Sequence, residues 1–143
     1  MKYSIKMLCI LLVISLLFIV PVSASENVSK ASSFFVRHNT YLYEVDGNKF
    51  GVWFEVTAKY EMDELGVSYI EMQRSTDQVN WTPVKYYYPS SWSQMIREDT
   101  AFHSNGVTYT GFTGYYYRAY VTYYAKSGNN VGYYDTYSDI IRL

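Results

Sequence analysis

The chain is poor in the residues that carry covalent and metal chemistry. Its one cysteine, Cys9, falls near the amino terminus, and everything after it is free of thiols. Disulfide staples and thiolate metal sites are thereby excluded from the rest of the chain. A length of 143 residues can bury a sufficient core without them. The two histidines, His38 and His103, lie in no serine-centred motif and read as surface residues without partners. No Gly-rich phosphate loop occurs, and no His/Asp/Glu spacing suggests zinc. The thirteen acids are scattered, so a carboxylate pair for glycoside cleavage cannot be assigned. Glu61-Met62-Asp63-Glu64 could lend oxygens to calcium, but its spacing matches no calcium loop, and it reads as an acidic surface loop. Twelve basic residues against those thirteen acids leave a net charge of −1. Without a basic patch, nucleic acid and anionic lipid are not expected as partners. The reading at this level is no enzyme, no cofactor and no metal.

Long apolar runs are also scarce, and there is one. Met7 to Val20 is apolar apart from Cys9 and Ser15, follows the basic Lys2 and Lys6, and is broken by Pro21. Val22-Ser23-Ala24 places small residues where a signal peptidase reads them. The run falls short of the roughly 20 apolar residues that a membrane span needs. Residues 1–24 are therefore expected to be a helical secretory signal cleaved between Ala24 and Ser25, with no membrane insertion of the mature chain. Without Lys2 and Lys6, ten basic residues face thirteen acidic ones, a formal charge of −3. A cysteine-free exported domain fits a bacterial extracellular protein better than a eukaryotic secretory one.

What is abundant is aromatic. Phe, Trp and Tyr make up 20% of the chain, with 18 tyrosines. The densest stretch is Tyr115 to Leu143, where two tyrosine-rich runs flank Lys126-Ser127-Gly128-Asn129-Asn130. Strand-forming residues on either side of a Gly/Asn turn predict a β-hairpin. Closing the turn at Ser127–Asn130 sets Tyr124 opposite Tyr133, Thr122 opposite Asp135 and Tyr120 opposite Tyr137. On the other face it sets Tyr123 opposite Tyr134, Val121 opposite Thr136 and Ala119 opposite Ser138. Side chains alternate with a period of two. Tyr117, Ala119, Val121, Tyr123 and Ile140 are expected to face the core; Tyr116, Arg118, Tyr120, Tyr124, Tyr133 and Tyr137 are expected to face water. Strand preference alone accounts for such a tyrosine ladder. The alternative is a stacking platform for a ligand.

Upstream, 25–33 reads as a flexible leader and 34–143 as one domain. Phe34-Phe35-Val36 and Tyr41-Leu42-Tyr43 are short strand-like pieces, and Asp46-Gly47-Asn48 is a turn. Lys49 to Tyr60 alternates with Phe50, Val52, Phe54, Val56 and Ala58 on one face. Glu61 to Gly66 reads as a loop, and Val67 to Arg74 as a strand with Ile70 and Met72 inward and Tyr69, Glu71 and Gln73 outward. Trp81 to Tyr88 is a strand marked as an edge by Pro83. Gln94 to His103 is ambiguous, and Ser104-Asn105-Gly106 reads as a turn into Val107 to Phe112. No helical period exceeds two turns. Short strands with turn signals between them indicate a single all-β antiparallel sandwich or barrel.

Two segments carry a resemblance. Ile70 to Val84, with Arg74-Ser75, Asp77, Trp81 and Val84 in register, resembles the third strand and following turn of fibronectin type III and related immunoglobulin-like sandwiches. Gly114 followed by Tyr117, Ala119, Val121 and Tyr123, and then Tyr137-Ser138 with Ile140, resembles the last two strands. The resemblance implies that Tyr117 is a corner tyrosine bonding nearby backbone, with Gly114 and Trp81 as structural partners. The chain departs from that pattern at Gly111, where a leucine is usual, in the long Tyr86–Phe112 region, and in a first strand without prolines. It is also similar to small exported bacterial β-sandwich proteins of unknown function. The resemblance is silent on activity. More aromatics than one core needs leave some exposed, clustered at Trp81, Tyr86-Tyr87-Tyr88 and Trp92, and such clusters act as interaction surfaces. The expectation is a secreted, non-catalytic binding or adhesion-type module for a glycan or protein. It would use Tyr69, Tyr116, Arg118, Tyr120, Tyr124, Tyr133 and Tyr137. A structural or self-associating exported domain and a secreted antagonistic peptide are the alternatives.

Overall fold

A computed structural model describes residues 33–143. The apolar run of 1–24, the Ala24–Ser25 junction and all of the 25–33 leader except Ser33 lie outside the described residues. The described chain is all-β and antiparallel. Its strands are β1 (Phe35–Asp46), β2 (Lys49–Ser75), β3 (Thr82–Tyr87), β4 (Ile96–Thr110), β5 (Tyr116–Ser127), β6 (Asn130–Tyr137) and β7 (Ile141–Arg142), with one 3₁₀ turn at Ser93–Met95 before β4.

The spine is β2, a strand of 27 residues. Its first half pairs with β1 on one side and β4 on the other, Trp53 standing between Tyr41 and Gly106. Its second half pairs with β3 and β5, Glu71 standing between Tyr86 and Tyr120. β6 continues that side beyond β5, and β7 pairs with the start of β5. The seven strands form one sheet curled into a half-barrel, an architecture compatible with a β-sandwich. Phe50, Val52, Phe54 and Val56 from the first half and Ile70, Met72, Val121 and Tyr123 from the second are all buried at the interior. At roughly 25 cal/mol per Å² of apolar area removed from water, this shared interior is what holds the curl closed.

Two local devices set the registers. Both tight hairpins place glycine at the first central position of a two-residue loop, Gly47 with φ 53° and Gly128 with φ 58°. This is the φ pattern of a type II′ turn, whose twist matches the strands it joins. In the β5–β6 hairpin the observed register is the expected one, from Ser127 opposite Asn130 to Tyr120 opposite Tyr137. The parity also holds: Tyr117, Ala119, Val121, Tyr123 and Ala125 are fully buried, and the residues between them are half-exposed.

Elsewhere the structure corrects the reading. Phe35-Val36 and Tyr41-Leu42-Tyr43 belong to a single strand, β1, and Phe34 precedes it. Glu61 to Gly66 is not a loop but the bend of β2, held by pairing of Met62, Glu64, Leu65 and Gly66 to β4. The alternation fails there because the strand passes from one half of the curl to the other and changes its buried side: Met62 and then Leu65 are buried. Gly66 sits at the tightest point of the bend, where a Cβ would collide with the Met95 carbonyl. Ser104-Asn105-Gly106 is likewise no turn. It lies inside β4, and Gly106 is required because the Val52 carbonyl and the Trp53 ring would crowd a Cβ, at 2.7 and 3.3 Å. Ile140 does not face the core and is 44% exposed. The β5–β6 register would set it opposite Tyr117, but Ile141 stands there instead. One extra residue has been taken up after Ser138, and Asp139 is turned outward to accept the Leu42 N–H at 2.7 Å. His103 is not a surface residue. It is 6% exposed, packs edge-on against Phe54, and lies 2.8 Å from the Gln94 carbonyl through Nε2. Burial lowers its pKa, so the neutral ring is favoured.

Candidate functional site

The outer face of the second half of the sheet gathers a contiguous group of exposed aromatics. A β-bulge between Val67 and Tyr69 inserts Ser68 opposite the Tyr123–Thr122 step, and Tyr69 is thereby aimed outward beside Thr122. From Tyr69 the rings run in both directions. Tyr86 stacks on it at 6.2 Å and Tyr88 tilts against it at 5.4 Å. Tyr120 meets it edge-on at 6.2 Å, and Tyr137 leans on Tyr120 at 5.1 Å. One row further along, Tyr124 and Tyr133 pair at 5.5 Å. Tyr86, Tyr88, Tyr133 and Tyr137 are each about half exposed, between 47% and 51%.

Polar groups wire this face together. Glu71 accepts the Tyr69 hydroxyl at 2.6 Å and the Gln73 amide at 2.6 Å. Gln73 in turn accepts Arg118 Nε at 2.7 Å. The Arg118 guanidinium is clamped between two rings, 4.2 Å from the Trp81 centroid and 4.2 Å from that of Tyr137. Each such cation–π contact is worth about 0.5–1 kcal/mol at an exposed site. Trp81 reaches that position through the turn before β3. Asp77 accepts the Ser75 hydroxyl, the Val79 and Asn80 N–H groups and the Asn80 amide, and Trp81 Nε1 donates to the Gln78 carbonyl at 3.0 Å. Four donors, led by the Asn80 N–H, hold the Asp77 carboxyl far below the usual carboxylate range. Below the tyrosine pair, Glu64 accepts Lys126 Nζ at 2.7 Å and the Tyr124 hydroxyl at 3.0 Å. Desolvation and the adjacent Glu64 carboxylate push the Tyr124 phenol up to about 12.

Of the residues expected at a binding surface, Tyr69, Arg118, Tyr120 and Tyr137 form one contiguous array, and Tyr124 and Tyr133 a pair beside it. Tyr116 stands apart, opposite Ser75 with the Arg142 guanidinium 5.3 Å over its ring. The remaining named residues lie at the edge of the array or in its scaffold. Trp81 belongs to the face itself. Tyr117 is buried, and its hydroxyl accepts the Phe112 N–H at 2.8 Å. Gly114 is exposed with φ 88° in the turn between them. Among the described residues, no three acids or histidines converge as a metal site would require. In the Glu61–Glu64 segment, Asp63 accepts the Gly128 N–H at 2.6 Å and Glu64 is taken by Lys126.

A second aromatic surface went unread. On the outer face of the first half, Tyr41, Tyr43 and Trp53 line a shallow depression of about 360 Å³. Tyr43 lies across Gly51, where a Cβ would strike its ring, and Trp53 lies beside Gly106. The signal available was an aromatic residue paired with a glycine on the neighbouring strand, Tyr43 with Gly51.

No family model matches the chain, no curated protein is similar to it, and no solved structure matches it.

Proposed function

We propose that the chain is a secreted, non-catalytic binding module built on a β-sandwich of the fibronectin type III and immunoglobulin kind, and that its outer tyrosine face contacts a glycan or a protein. The sandwich reading is supported by strand neighbours. If the two halves of β2 count as two strands, β1, the first half of β2 and β4 take the first, second and fifth places of one sheet of such a sandwich. β3, the second half of β2, β5 and β6 take the order of the other. The Tyr117–Phe112 bond is of the corner type that this architecture uses.

The observation that carries the binding reading is the continuous run from Tyr88 through Tyr69, Tyr120 and Tyr137 to Arg118 and Trp81. Its rings are partly or half exposed, yet Glu71 fixes the Tyr69 hydroxyl, and Gln73 fixes the Arg118 side chain that lies between Trp81 and Tyr137. Little ordering entropy remains to be lost when a ligand stacks on such a face. Its acids are already engaged in hydrogen bonds that orient aromatic rings, which favours recognition over acid–base chemistry. The test is a glycan array and cell-surface binding with purified protein against the Tyr120→Ala/Tyr124→Ala/Tyr137→Ala variant. Loss of an anchoring aromatic cluster should weaken binding by about 2 kcal/mol, roughly thirty-fold. Equal binding by the folded triple variant would remove the face from consideration.

A further inference from the structure

Besides β7, which has only 2 residues, four strands stand at an edge of the sheet, and three of these edges are blunted. The mid-strand N–H of Leu42 on β1 is taken by Asp139, and that strand carries Arg37 and Glu44. β3 is 6 residues long, carries Pro83 and Lys85, and is irregular where it meets Gln73. β4 covers its own outward groups: Thr100 Oγ1 bonds both the N–H and the carbonyl of Phe102, Asn105 accepts the Gly106 N–H, and Tyr87 donates to the Thr108 carbonyl. These are the devices by which sheets avoid joining one another edge to edge.

β6 has the fewest of them, one acid at Asp135. The two-residue turn makes Ser127–Asn130 a pair that exchanges both hydrogen bonds, and the exchange then recurs at Gly132, Tyr134 and Thr136. The N–H and carbonyl groups of Val131, Tyr133, Asp135 and Tyr137 therefore point away from β5. Among the described residues, the one bond to any of them is a long 3.4 Å contact from Thr136 Oγ1 to the Tyr137 carbonyl. The strand holds no proline and no lysine, and Val131, Tyr133, Tyr134 and Tyr137 are 37–51% exposed.

We propose that this edge is the contact between two copies of the chain, paired antiparallel about a two-fold axis at Tyr134. The pattern of β6 is self-complementary in that register. Tyr133 of each copy falls opposite Asp135 of the other, setting a phenol beside the one charged side chain on the strand. Val131 falls opposite Tyr137, an apolar pair. Any register that sets Asp135 against itself opposes two carboxylates. The residues facing each other are those whose backbone groups point away from β5. A two-fold perpendicular to the sheet keeps both tyrosine faces on one side, so the pair presents a platform of doubled width. The proposal does not depend on what that platform binds.

Sedimentation equilibrium of the purified protein, from about 1 µM to 1 mM, is the first test. Wild type should dimerise within that range. Val131→Pro removes an outward N–H without touching the β5 ladder, and Val131→Lys adds an edge charge; both should be monomers throughout. If the proline variant loses its circular dichroism or thermal transition, the lysine variant decides. The register is tested by crosslinking. In a Cys9→Ser background, Tyr134→Cys places two thiols across the axis, where facing Cα atoms are ~4.5 Å apart and within disulfide reach. It should form a covalent dimer on oxidation, and Val131→Cys should not. A wild-type monomer at every concentration would overturn the proposal, including one that captured an extended peptide of another protein on the same edge. A dimer unaffected by the lysine, or crosslinked through Val131 rather than Tyr134, would overturn it equally.

Discussion

The two outer faces of this molecule are both aromatic, and they are built in opposite ways. On the first half of the sheet the rings lie down. Tyr43 rests over Gly51 and Trp53 beside Gly106, each occupying the space that a neighbouring side chain would have filled. On the second half the rings lean on one another. Tyr69, Tyr120 and Tyr137 contact in sequence, and Glu71, Gln73 and Arg118 bridge them. The difference does not come from the aromatic residues, which are much alike. It comes from what stands opposite them: glycine on one face, and acids, amides and an arginine on the other. The first arrangement yields a depression, the second a ridged and polar surface.

The largest effect that tests this contrast should come from the joint between the halves. Gly66→Ala puts a methyl into the Met95 carbonyl, backbone against backbone, and should destabilise the fold by about 3 kcal/mol in chemical denaturation. Loss of signal from both faces in one transition would show that neither half stands alone. The next contrast lies within the first face. Gly106→Ala meets the Val52 carbonyl at 2.7 Å and must move a strand, costing about 1–2 kcal/mol. Gly51→Ala meets the far end of the Tyr43 side chain, which can swing away. Its stability should change by less than about 0.5 kcal/mol, while the depression beside Trp53 opens and the indole fluorescence shifts. A larger cost for Gly51→Ala than for Gly106→Ala would mean that the Tyr43 ring is fixed in place. The smallest effect belongs to the second face. Arg118→Lys keeps the charge but loses the planar stack between Trp81 and Tyr137 and the Nε bond to Gln73, and should cost about 1 kcal/mol or less. The Trp81 emission should respond more than the stability does. An unchanged emission would show that the clamp does not form in solution.

What was legible before the fold was known was local. The β5–β6 hairpin could be read down to its pairs because a two-residue turn and a period-two pattern fix register without outside help. The outward row of Tyr120, Tyr124, Tyr133 and Tyr137 followed from it. The bend of β2 was illegible because its acids, Asp63 and Glu64, resemble a solvated loop. Their partners, Gly128 and Lys126, lie more than sixty residues on. Gly106 carries a turn signal but serves a ring and a carbonyl about fifty residues earlier. Ile140 failed by one position, since an inserted residue after Ser138 leaves no mark on the alternation. The array itself was half legible. The outward faces of β2 and β5 could be named separately, whereas the Trp81–Arg118–Tyr137 clamp needs the Asp77 turn to carry an indole across two strands.

The uninterrupted course of β2 has a mechanical consequence. Where two sheets are joined by loops, tension applied to one must first draw the slack out of a loop before it reaches the other. Here a pull on the Tyr69–Gln73 segment travels along peptide bonds into Phe50–Ala58, and the β4 ladder that flanks the bend resists its straightening. Force at one surface should thus be shared by every strand before any part of the molecule gives way.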